Sequence, residues 1–83
     1  MFIHLGGDTL VSSKKIVAII NAENALNANT TKDFLRKAQD KGLVKKLDNE
    51  NFKSIIVTDQ SIYLSPISSL TLKKRASFVE NLV

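Results

Sequence analysis

Apolar positions along the chain come in short bursts separated by polar breaks. Phe2-Ile3-His4-Leu5 is short and apolar and predicts a strand. Gly6-Gly7-Asp8 is a turn signal, because two glycines supply the positive φ of a tight hairpin, and Thr9-Leu10-Val11 resumes as the partner strand. Ser12 to Lys15 is a polar break. Ile16-Val17-Ala18-Ile19-Ile20 is the longest apolar run. Its β-branched content reads as a buried strand, although so short a run does not by itself exclude a helix. Asn21 to Asn29, rich in Asn and Ala, predicts a loop with a turn of helix.

Thr30-Thr31-Lys32-Asp33 matches a capping box, with Thr30 as the cap and Asp33 reaching back, and predicts a helix over about 30–41. Phe34, Leu35 and Ala38 would form its apolar face. Lys37 and Lys41 suit the negative end of its dipole, and Gly42 suits the position after its end. Leu43-Val44 with Leu47 suggests a short strand before a turn at Asp48 to Asn51. Strands follow at Lys53 to Val57 and Ile62 to Leu64, joined by a turn over Thr58 to Ser61 and ended by Pro66. Ser68 or Ser69 can cap a last helix, about 69–81, with Leu72, Ala76, Val79 and Val83 on one face. The order β-β-β-α-β-β-β-α predicts one α+β domain over 1–83. Its expected form is a mostly antiparallel sheet with two helices on one face, in two layers. Two helices cannot cover both faces of such a sheet, so Ile62 and Tyr63 of the last hairpin are expected at a subunit contact.

Composition narrows the function. At 83 residues the chain buries only about 60–65% of its unfolded surface, and small domains usually add disulfides, a metal or oligomerisation. It has no Cys and one His, which removes disulfides and thiolate sites and nearly excludes a His-based metal site; no cofactor is expected. Oligomerisation is the open route. No run approaches the roughly 18 apolar residues of a membrane span, and the first residues lack the basic start of a signal peptide, so the expected compartment is the cytoplasm. His4 lies in the first strand, far in sequence from Ser65, Ser68, Ser69 and Ser77, and the carboxylates are scattered without acid–base or metal spacing. There is no P-loop and no GxGxxG. The chain reads as non-enzymatic.

The net charge is +4, a mild pull toward a polyanion. Lys32, Arg36, Lys37 and Lys41 alternate with Asp33 and Asp40, as on a solvated helix face. Lys14-Lys15 stand beside Ser12-Ser13 where a strand begins, and cations with hydroxyls on a rigid element make a plausible phosphate clamp. Lys53 opens another strand. Lys73-Lys74-Arg75 crowd the first turns of the last helix against the positive end of its dipole. They call for a phosphate, for an acidic neighbouring surface, or for a helix that starts earlier. Phe2, Phe34, Phe52, Tyr63 and Phe78 sit at core-like positions and form no RNA-recognition pattern, and no helix-turn-helix is evident. Nucleic-acid binding would run mainly through phosphates.

The residues also resemble a known family. Phe2-Ile3-His4-Leu5-Gly6, Val11-Ser12, Ile16 to Ile19, Phe34-Leu35, Lys53 to Thr58 and Ile62 to Pro66 are similar to the RemA/RemB family of small extracellular-matrix regulators of Gram-positive bacteria. The distinctive part is the stretch from Ser65-Pro66 through Ser68-Ser69 and Thr71-Leu72-Lys73-Lys74-Arg75-Ala76, and the likeness is closer to the RemB branch. The resemblance implies a DNA-binding transcriptional regulator of matrix and biofilm genes. It implies a ring-like homo-oligomer that engages double-stranded DNA along its rim, and opens the prospect of a mixed assembly with a RemA-type paralogue. Lys15 and Lys53 match arginines of the RemA branch. Glu50 and Asn51 stand where that branch has an arginine pair, which reverses or removes charge. The residues expected at DNA are Lys14, Lys15, Lys53, Lys73, Lys74 and Arg75. The alternative is an oligomeric interaction module of the same fold that no longer binds DNA.

Overall fold

The structure, a computed structural model, describes residues 2–47 and 51–81, with side chains through 76. β1 (Phe2–Gly6) and β2 (Thr9–Ser12) form an antiparallel hairpin, with Ile3 opposite Val11 and His4 opposite Leu10. Gly6 (φ 126°) and Gly7 (φ 55°) make its turn, a backbone that side chains disfavour. The His4 ring donates from Nε2 to the Gly7 carbonyl (2.6 Å), bracing that turn. A single 3-10 turn, Ser13–Lys15, leads into β3 (Ile16–Asn21), α1 (Ala22–Ala25), α2 (Asn29–Asp40), β4 (Val44–Lys46), β5 (Ser54–Thr58), β6 (Ile62–Ser65) and α3 (Ser69–Asn81). β3 to β6 form one sheet in the order β3-β5-β6-β4, antiparallel except for the parallel β4–β6 pair. The α+β class, the element order and the mostly antiparallel pairing are those the sequence predicts. Residues 48–50 of the turn expected over 48–51, and the side chains of Val79 and Val83, lie outside the described residues.

Two local expectations, both at the start of α2, resolve differently. Asn21 caps α1, its side-chain oxygen accepting from the Asn24 N–H (3.1 Å). The chain then turns so tightly, with Ala28 N–H on Ala25 O (3.1 Å), that α2 is already under way at Asn29. Thr30 is therefore inside the helix, Ala28 holds the N-cap position without a side-chain cap, and Asp33 pairs with Arg36 (2.8 Å) instead of reaching back. The other end is as expected. Gly42 (φ 72°) follows the last turn, its N–H on Gln39 O and that of Leu43 on Ala38 O, the Schellman arrangement. α3 is capped by Ser68, whose Oγ accepts from Thr71 N–H (3.2 Å).

The two-layer expectation gains a third layer. Successive strand residues face opposite ways. Ile55, Ile62 and Leu64 pack with Ala22, Leu35 and Ala38 under α1 and α2. Ile56 packs on the other face with Ile3, Leu5, Val11 and Leu72, under the hairpin and α3. Helices thus lie on both faces of the sheet, because the amphipathic hairpin folds back and brings α3 with it. Ser54 and Ser65, opposite one another in β5 and β6 and both 0% exposed, lock this layer. Ser65 Oγ donates to Leu5 O and accepts from Ile67 N–H (3.0 Å), and Ser54 Oγ donates to Ile67 O (2.7 Å).

Candidate nucleic-acid interface

Lys14 and Lys15 are exposed on the 3-10 turn between β2 and β3. That turn is fixed from below by the Asp59 N–H, which donates to Lys15 O (3.1 Å). Ile16 pairs with Thr58, so both lysines stand at the end of the sheet where β5 turns into β6. Lys53 is exposed at the other end. Its N–H donates to Ser65 O (2.8 Å) and its carbonyl accepts from Ala22 N–H (3.1 Å). The five residues of β5 lie between, about 17 Å at ~3.3 Å per residue. Lys53 borders a shallow hollow with Ser68, the cap of α3.

Lys73 and Lys74 are exposed one turn into α3. Arg75 is partly committed elsewhere: its guanidinium donates to His4 O (2.8 Å), clasping α3 to β1. This carbonyl answers part of the charge crowding that the sequence raised. Ile62 is 5% exposed and lies inside the chain's own core beneath α2, so its side chain is not a surface for a second subunit. Tyr63 is half-buried on the opposite face, with the Lys45 ammonium 5.7 Å from its ring centre. Asn51 is exposed, and Glu50 lies outside the described residues.

The structure thus brings Lys53 toward the start of α3 and leaves Lys14 and Lys15 at the far end of the sheet. It also adds residues that sequence reasoning passed over. Lys37 and Lys41, read as solvated, and Phe34, read as core, line a cleft with the Thr58–Ser61 turn. Their 34/37/38/41 spacing with Ala38 was the available signal, since it marks one flank of a helix. Among the described residues no three His, Asp or Glu side chains gather as a metal site, and no helix is long and apolar enough to cross a membrane.

Fold and site together define a small α+β module with exposed cations on a turn, at a strand end and on a helix. The model of the RemA-like family, described as extracellular matrix regulatory protein A-like, matches residues 2–76. The chain belongs to that family, as its motifs indicate. It is 46% identical over 79 residues to extracellular matrix regulatory protein B of Bacillus subtilis (strain 168), an alignment covering 95% of this chain and 94% of that one.

Proposed function

We propose that the protein is a non-enzymatic regulator of extracellular-matrix genes that acts in the cytoplasm. In this reading it is a ring-like homo-oligomer that holds double-stranded DNA through its phosphates. The observation that carries this reading is the near full-length likeness to a protein named as an extracellular matrix regulator. Lys14, Lys15, Lys53, Lys73 and Lys74 support it, being exposed on ordered backbone. A subunit charge of +4 is mild. Repeated at fixed spacing around an assembly it becomes a strong field, and many weak phosphate contacts then act together. Apolar groups available for subunit contact include Phe2 (68% exposed) and Leu10 (60%) on the outer face of the hairpin, Val17 (71%) on the β3 edge and Leu70 (70%) on α3.

One observation favours the second reading, an interaction module of the same fold without DNA binding. The cations divide between two ends of the sheet, so one subunit offers no single continuous basic face.

The experiment is a salt titration of binding to a duplex of about 100 base pairs, with the solution mass measured alongside; each neutralised phosphate steepens the slope of log affinity against log salt by about 0.9. An oligomer with a steep slope is expected, and Lys14→Ala with Lys15→Ala should weaken binding equally for unrelated sequences and leave folding intact. An oligomer with no binding at low salt overturns the DNA reading in favour of the second. Binding that appears only after a RemA-type paralogue is added would move the DNA contact to a mixed assembly.

A further inference from the structure

None of the residues that line the cleft beside α2 is among the DNA contacts assigned above. Phe34 (50% exposed) and Leu43 (40%) form its mouth, over a floor of Val57 and the buried Ile62. Its volume is about 340 Å³, near the lower limit of ~300–1,000 Å³ for small-molecule sites. It is open to solvent, so it suits an inserted side chain better than an enclosed ligand. One wall is preformed. The Thr58 hydroxyl donates to Ser61 O (2.8 Å) and accepts from the N–H groups of Ser61 (2.9 Å) and Gln60 (3.3 Å), which holds the turn in place before anything binds.

The charge around it is unbalanced. Lys37 and Lys41 line the cleft, and Lys14 and Lys15 stand on the adjoining turn, against Asp59 alone among the lining residues. The only ion pair among the described residues, Arg36–Asp33, leaves these four lysines out. The C-terminal dipole of α2 accounts for a lysine or two in its last turn. It does not account for an aromatic ring left half-exposed between them, and exposed aromatics in preformed hollows are where binding energy concentrates.

We infer that this cleft docks an acidic segment of a partner protein, which seats one aliphatic side chain between Phe34 and Leu43 while its carboxylates face Lys37 and Lys41. The inference does not depend on DNA binding. A nucleic acid would satisfy the lysines and leave the apolar mouth unfilled.

The test uses the full chain and a fluorescein-labelled peptide of two leucines flanked on each side by three aspartates. Anisotropy and amide chemical shifts are read together. Saturable binding is expected, with shifts confined to α2, Leu43 and the Thr58–Ser61 turn. Phe34→Ala and Lys41→Glu, both at exposed positions, should each weaken it several-fold without altering the circular dichroism spectrum. Lys53→Glu, at the other end of the sheet, should leave it unchanged. Four results would overturn the inference. The first is no binding at about 1 mM, the weak end of useful affinities. The second is equal binding of a peptide with lysines for aspartates or alanines for leucines. The third is displacement of the peptide by duplex DNA with the same amides shifting. The fourth is a concentration-dependent shift of these amides without peptide, which would make a second copy the occupant.

Discussion

Ser54 and Ser65 have no exposed surface and make three hydrogen bonds that join β5 and β6 to the hairpin and to Ile67, just before α3. Removing one buried hydroxyl leaves its former partners unsatisfied, which costs about 1–3 kcal/mol. Ser65→Ala should therefore lower the unfolding free energy by about that amount, seen as a lower urea midpoint at unchanged slope. A loss under a few tenths of a kcal/mol would mean that water replaces the hydroxyl. Individual residues were the least legible part of this chain. The apolar character of Ile62 was plain, but which side of the sheet it faced depends on what α2 covers, and period-2 alternation does not reveal that. Arg75 looked like a cation awaiting an anion; its partner is a backbone carbonyl in β1, which no side-chain pattern announces.

Elements were the most legible part. The α2 and α3 spans follow from apolar spacing and from Gly42 and Ser68, because those signals are local. The capping box at Thr30 misled because the motif tests four residues and ignores the tight turn before them, which had already begun the helix. α3 also shows how one element divides its labour. Leu72 is fully buried among Ile3, Leu5 and Ile56, whereas Leu70 is 70% exposed. Leu72→Ala should cost about 2–5 kcal/mol, as core truncations do. Leu70→Ala should stay within about 0.5 kcal/mol. Urea unfolding of the two variants in parallel checks the docking of α3; equal losses would mean that its buried side is misassigned.

At the scale of the molecule, three layers replace the expected two, and the reason is non-local. The strands at Ile3, Leu5 and Val11 were readable as short apolar runs, but nothing local to those residues names the sheet face and helix they pack against. The same layering parts the basic residues, with Lys14 and Lys15 at one end and Lys53 at the other. They share no partner and lie too far apart to couple, so their effects on DNA affinity should add. Lys53→Ala in the Lys14→Ala, Lys15→Ala background should multiply the losses measured separately. A triple variant no weaker than the double would mean that only one end meets DNA. The Ser65–Leu5 bond spans 60 positions and the Arg75–His4 bond 71. A growing chain makes the hairpin early, yet the serine, helix and arginine that hold it are made more than half a chain later. Contacts of such long range are slow to form, because the loop between them must close before they stabilise anything. The hairpin should therefore wait on the ribosome with its apolar side uncovered, and the fold should close in one late step once α3 has emerged.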